Sequence, residues 1–193
     1  MGRWPGGARE RLQEAALALF AERGYAATTV DDIAARAGVS QRTFFRHFPD
    51  KEEVLFGADD QLTAVLLRGV REAPAGSSAR DLVAAGLRAL AAELQPRRET
   101  LRVRARVLAS DIALQGRDLA KQARWKALVA DEAVARGVPG TTATLLAAAG
   151  AAALQVAYAD WLADASRTAL VTRFDRALDT LAASLAAPGP PAP

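Results

Sequence analysis

The stretch T-T-V-D-D-I-A-A-R-A-G-V-S-Q-R-T-F-F-R-H-F, Thr28 to Phe48, decides the fold. Its last ten residues hold three phenylalanines, two arginines and the only histidine of the chain. A buried segment does not carry Arg42 and Arg46, and a plain solvated face has no use for Phe44, Phe45 and Phe48. A short helix with a core side and an outward reading side accommodates both sets. Ser40 is its N-cap, and Pro49 ends it after Phe48. Upstream, Thr28 or Thr29 caps another helix, and Thr29 with Asp32 has capping-box spacing. Ile33, Ala34 and Ala37 form the buried stripe of that helix, and Gly38 breaks it. Short helix, glycine turn and short helix make a helix-turn-helix.

On the second of these helices Phe44 and Phe48 are four apart and share the inner face. Gln41, Arg42, Thr43 and Arg46 are the candidate base readers: glutamine pairs with adenine in the major groove, and arginine donates two hydrogen bonds to guanine. Thr28 or Thr29, at an exposed helix start, and His47 are candidate phosphate donors, with Lys51 on the far flank. Phe45 is either a third core aromatic or an exposed ring lying against the sugar–phosphate backbone. Thr29 and Ser40 are equally explained as caps alone, and the two arginines also suit an ordinary surface helix. Arg3, Trp4 and Arg9 precede the first packed helix. Such an arm either starts the chain without contacts or enters a minor groove, and Arg9 is the best contact of the three.

Working outward, helical periodicity dominates the whole sequence. Leu12, Ala15, Ala16, Leu19 and Phe20 share one face of a helix over about 9–23, ended by Gly24. Asp50 with Glu53 caps a fourth helix running to about Val70, interrupted by no proline and only by Gly57. After the P-A-G-S-S stretch at 74–78, longer helices are predicted near 79–93, 97–109, 111–136, 141–164 and 167–187. The proline-rich end, 188–193, forms no helix.

The chain has 193 residues, is 51% hydrophobic with much of that alanine, and has no cysteine. Disulfides, thiol catalysis and thiolate metal sites are therefore excluded. With one histidine, placed in the reading helix, no H-E-x-x-H and no glycine-rich phosphate loop, no catalytic constellation and no metal or cofactor site is expected. Net charge is +3. Residues 1–56 carry eight basic and eight acidic side chains, so a DNA-binding face must come from sorting charges in space. The N-terminus lacks the apolar run of a signal peptide, and the alanine- and glycine-rich run 143–159 is a weak membrane candidate. A cytoplasmic protein without a membrane partner is the plain expectation.

The runs A-L-A-L-F-A-E-R-G-Y (16–25), T-T-V-D-D-I-A-A-R-A-G-V-S (28–40) and R-T-F-F-R-H-F-P-D-K-E-E-V-L (42–55) resemble the DNA-binding domain of TetR-family transcriptional regulators. The resemblance covers about 48 residues and includes the glycine turn and the Phe-x-x-Lys-Glu junction. It implies a homodimer whose first three helices bind a double-stranded operator and whose later helices dimerise and enclose a small-molecule effector. It also implies repression relieved by that effector. Positions matching Gln41, Arg42, Thr43 and Arg46 meet bases in the family, while those matching Phe45, His47, Lys51 and the Thr29 region meet phosphates. Phe45 stands where tyrosine is usual, so a phosphate hydrogen bond is lost there.

The expected fold is all-α: a three-helix head (1–56) joined by a shared fourth helix to an effector and dimerisation domain (57–187), with 188–193 as a tail. Leu66, Leu90, Leu108, Ile112, Trp125, Leu128, Leu154, Tyr158 and Trp161 are expected to line an effector pocket, though each also suits helix core. Its ligand is expected to be apolar or amphipathic. Arginines 97, 98, 102, 104 and 106 either meet an acidic effector or cover a surface. Gly150, Ala151, Leu170, Phe174, Leu178 and Leu181 are expected at a dimer interface built from the last two helices. The expected function is a homodimeric repressor on a pseudo-palindromic site. The alternative is a helical interaction module or ligand-binding protein without specific DNA binding.

Overall fold

The computed structural model describes residues 7–186, and every regular element among them is helical. The head of the chain holds α1 (Ala8–Arg23), α2 (Val30–Arg36), α3 (Gln41–His47) and a single turn, α4 (Glu53–Phe56). Then follow α5 (Asp59–Arg71), α6 (Ala79–Leu94) and, after a 3-10 turn at Gln95–Arg97, α7 (Arg98–Ala109). The last three helices are α8 (Ile112–Ala135), α9 (Gly140–Ala163) and α10 (Leu170–Ala186). The arm residues Arg3 and Trp4 and the tail 188–193 lie outside the described residues.

Two compact units result, and they are not consecutive halves. Residues up to Asp60 combine with Glu99–Ala120, while Gln61–Arg98 combine with the chain from Lys121 onward. In the first unit, Leu12, Ala16, Leu19 and Phe20 of α1 pack with Ile33 of α2 and with Phe44 and Phe48. Val107, Leu108 and Leu114 complete the same core. A three-helix head of so few residues buries little apolar surface alone, and α7 with the start of α8 enlarges it.

The expected fourth helix is not continuous. The α-helix ends at Phe56, a turn occupies Gly57 and Ala58, and helix resumes at Asp59. A Cβ at Gly57 would stand 2.8 Å from the Phe48 ring and 3.1 Å from the Glu53 carbonyl, so the chain passes too close to that ring for any other residue. The unit boundary between Ala120 and Lys121 falls inside α8, which is unbroken there.

In the second unit α6, α9 and α10 pack together, with α5 crossing α6. That crossing depends on glycine: a Cβ at Gly86 would lie 2.7 Å from the Leu66 carbonyl, and one at Gly69 2.8 Å from the Ala85 carbonyl. By length and composition α9 could span a membrane. Its Ala143, Ala147, Gly150, Ala153, Ala157 and Trp161, however, are buried within the protein.

This packing takes up several of the expected dimer residues within the chain itself. Leu170, Phe174 and Leu178 are buried inside the protomer, and a Cβ on Gly150 would lie 2.6 Å from Leu87. Ala151 and Leu181 are half-buried. The stripe on α10 therefore serves the protomer's own core. Outward apolar side chains lie on the opposite face of α9, where Leu145 and Val156 are exposed with Ala148 and Ala152 between them, and Leu185 of α10 is exposed as well.

The expected pocket residues scatter. Leu108 belongs to the core of the first unit, and Ile112 is 82% exposed. Leu66, Leu90 and Trp161 are fully buried, and Trp125, Leu128, Leu154 and Tyr158 half-buried. Trp125 donates its indole N–H to Thr63 Oγ1 at 2.8 Å. An apolar groove of about 100 Å³ does lie in the second unit, but between Val83 and Ala84 of α6, Leu146 and Gly150 of α9, and Phe174 and Leu178 of α10. None of the nine expected residues lines it.

Candidate nucleic-acid interface

Three local devices hold the α2–turn–α3 element. Thr29 caps α2 reciprocally: its hydroxyl accepts from the Asp32 N–H at 3.1 Å, and the Asp32 carboxylate accepts from the Thr29 N–H at 2.9 Å. The Thr29 hydroxyl also donates to the Asp32 carboxylate at 2.7 Å, and this bond first, with the one from the Thr29 N–H second, holds the Asp32 pKa below its ordinary value. Gly38 then turns the chain with φ +67°, a conformation that side-chain-bearing residues rarely adopt. Finally Ser40 Oγ accepts from the Thr43 N–H at 3.2 Å and opens α3.

Helix α3 is pinned from beneath. Phe44 and Phe48 are fully buried, with ring centroids 5.7 Å apart. Gln41, Arg42 and Arg46 are exposed on the other side, and no hydrogen bond or ion pair within the described residues engages them. Thr43 is half-buried, its hydroxyl 3.0 Å from that of Ser40. The two alternatives for Phe45 resolve in favour of the surface: the ring is 50% exposed and stands edge-on to Phe44 at 5.5 Å. Four candidate base readers and one aromatic ring thus share one short helix.

The flanking residues are placed differently from the expectation. Thr28 is 1% exposed, and its hydroxyl donates to the Gly24 carbonyl at 2.9 Å, so its side chain leaves the set of phosphate contacts. Arg9 leaves it as well. Its guanidinium donates to the carbonyls of His47, at 3.0 Å, and Gly57, and its Cζ lies 4.6 Å from the centroid of the Phe48 ring. It staples α1 to the end of α3. His47 is half-buried, and its Nε2 is closed off from solvent with no partner among the described residues. That atom is not offered to a phosphate.

Lys51 sits just before α4 and ties down the loop ahead of α2. Its ammonium donates to the carbonyls of Tyr25 at 2.8 Å and Thr28 at 2.9 Å, and lies 4.1 Å from the centroid of the Tyr25 ring. Burial pushes its pKa down, and burial likewise raises that of the Tyr25 phenol, helped by Glu52. One of the three ammonium N–H groups remains.

Side chains from distant sequence complete the head. Arg104 donates to the Leu55 carbonyl at 2.8 Å and to Asp118 at 2.9 Å. Arg117 pairs with Glu53 and, at 3.2 Å, with Glu52. Their guanidinium carbons lie 5.1 Å and 4.8 Å from the centroid of the Phe56 ring. Asp118 apart, these partners are 49 to 65 residues away in sequence, so no local pattern announces them. The remaining arginines of the 97–106 run have separate uses: Arg97 pairs with Glu93 at 3.0 Å, Arg102 with Glu99 at 3.0 Å, and Arg106 is exposed.

Known proteins share this organisation. The family model for bacterial regulatory proteins of the tetR family matches residues 12–58, which contain α2, the turn and α3. The putative mycofactocin biosynthesis transcriptional regulator MftR of Mycobacterium tuberculosis is 30% identical over 179 residues, 90% of this chain and 89% of that protein. The transcriptional regulator TcmR of Streptomyces glaucescens is 38% identical over 82 residues, which are 42% of this chain but 36% of TcmR. Among solved structures, Thermus thermophilus FadR, a TetR-family repressor in complex with lauroyl-CoA, is 26% identical with a TM-score of 0.60. The match covers 96% of this chain and 98% of that one. The fatty acid degradation regulator FadR from Bacillus halodurans shares the fold, with a TM-score of 0.65 over 96% of this chain and all of that one, at 16% identity. These relatives are regulators and not enzymes. The near full-length match to MftR, with the matched helix-turn-helix, makes this chain a member of the TetR family of bacterial transcriptional regulators.

Proposed function

We propose that the protein is a homodimeric repressor, acting in the cytoplasm, that leaves a pseudo-palindromic operator when a small molecule binds. The observation that carries the reading is the α3 surface: Gln41, Arg42 and Arg46 are exposed and internally unengaged on a helix pinned by two buried phenylalanines. Arginine and glutamine so presented suit guanine and adenine edges in a major groove. Lys51 keeps one N–H and its charge for a phosphate beside the groove. Thr29 lies exposed at the start of α2, where backbone N–H groups favour a second phosphate contact.

The α9 face carrying Leu145, Ala148, Ala152 and Val156 is the proposed dimer surface, because small residues allow close helix approach and leave this stripe apolar. Two-fold symmetry supplies two α3 helices, which suits a site with two half-sites. The FadR relative crystallised with lauroyl-CoA supports an amphipathic effector. Release requires the effector to favour an arrangement that DNA does not. The proposed lever is α8: it is unbroken across the boundary between the two units, and its Arg117 holds Glu52 and Glu53 at the start of α4.

The test is selection of duplexes from a random library, followed by binding at several salt concentrations. A two-fold symmetric consensus bound by a dimer, with affinity falling steeply with salt, is the expected result. Binding without sequence preference, or none at low salt, defeats the reading.

A further inference from the structure

The loop between α9 and α10, Asp164 to Ala169, has no regular structure and gathers two arginines onto it. Arg98 donates to the carbonyls of Trp161, Asp164 and Ser166, the last at 2.9 Å, and its Cζ stands 5.3 Å from the centroid of the Trp161 ring. Arg173 donates to the Asp164 carboxylate and, at 2.8 Å, to Ser166 Oγ. Both guanidiniums thus hold the same loop, Arg98 from the first residue of α7 and Arg173 from α10.

Three N–H donors on these side chains find no acceptor among the described residues. Trp161 is fully buried and its Nε1 has no hydrogen-bond partner; Nε of Arg98 and Nε of Arg173 are likewise closed off and unpartnered. A buried donor without an acceptor costs free energy, and native proteins rarely leave one so. Charge is unbalanced too. Asp164 is the carboxylate that pairs with Arg173, whereas Arg98 has only carbonyl partners among the described residues. Three side chains therefore supply donors and a surplus positive charge, and what they lack is an anionic acceptor.

We propose that Arg98, Trp161 and Arg173 form a binding site for the carboxylate of an amphipathic acid. The carboxylate oxygens accept from the indole N–H and the two Nε–H groups, and its charge offsets that of Arg98. Charge-assisted hydrogen bonds of this kind are about twice as strong as neutral ones. The aromatic rings of Trp161 and Tyr158, with centroids 6.0 Å apart, provide an apolar wall for the rest of the molecule. Ala165, Ser166 and Arg167 are exposed, so this loop is the part that yields to admit the acid. The site rests on the effector-responsive reading above and assigns its ligand a chemical class.

The experiment titrates the full-length protein with octanoate and with octanol, which share an apolar tail and differ in charge, using calorimetry. Two variants accompany it. Trp161→Phe removes one N–H and keeps a ring; Arg173→Lys keeps a charge for Asp164 and removes Nε. Circular dichroism confirms that each folds. Octanoate is expected to bind at least tenfold more tightly than octanol. Each variant should weaken octanoate about tenfold, the worth of a hydrogen bond to a charged group, and leave octanol unchanged. Equal binding of acid and alcohol, no binding of octanoate, or octanoate affinity unchanged in both folded variants overturns the proposal. Operator affinity is measured in parallel: octanoate binding that leaves it unchanged upholds the site and removes its link to release.

Discussion

Arg104 and Asp118 form an ion pair of 2.9 Å whose side chains are only 15% and 19% exposed, and the Leu55 carbonyl accepts from the same guanidinium. The pair joins α7 to α8 and anchors both beside Phe56. A charge this far from water is costly once its partner is gone. Asp118→Ala should destabilise the protein by roughly 2–3 kcal/mol, below the loss for a fully buried pair. Urea unfolding checks it, and a midpoint unchanged within error contradicts the anchoring role.

Arg42→Ala and Arg46→Ala should each flatten base preference at one position per half-site, at about 1–3 kcal/mol of discrimination. Nonspecific affinity should change less. Binding profiles over a random library decide it.

Lys51→Ala should act twice. It should weaken binding to all sequences and lower the salt slope by about one unit. It should also lower the melting temperature, since the ammonium bonds the Tyr25 and Thr28 carbonyls. Loss of DNA binding at an unchanged melting temperature would show that those bonds carry no weight.

Val156→Asp should dissociate the proposed dimer while leaving the fold intact, because Val156 is exposed on the outward face of α9. Phe174→Ala should do the reverse, costing about 3–5 kcal/mol of stability through the lost ring and the cavity left behind. Sedimentation velocity combined with thermal unfolding separates these outcomes.

Acid should destabilise the protein through two carboxylates, one in the loop after α9 and one in the first turn of α2. Asp164 is held well below the ordinary carboxylate range by Ser166 first and Arg173 second, and Asp32 is held down mainly by Thr29. Both therefore contribute stability above the ordinary value of 3.8, and it is lost as pH falls toward the folded-state values. The denaturation midpoint should fall below about pH 4, and Asp32→Asn should flatten that decline.

What the sequence by itself determined is the local chemistry of the head. Ser40, Thr29 with Asp32, Gly38 and the Phe44–Phe48 spacing act within four residues of themselves, so capping, turn and inner face were all legible from the chain. The helices followed from periodicity for the same reason, to within about three residues at most ends. Tertiary structure alone decided which apolar stripe faces what. Leu170, Phe174 and Leu178 read equally well as an interface or as core, because periodicity marks a buried face without naming its partner. It likewise decided that Arg9 staples α1 to α3, that Thr28 turns inward, and that Arg104 and Arg117 grip the chain around Phe56. Long side chains find acceptors across tens of residues, and only the folded path of the backbone brings those acceptors near.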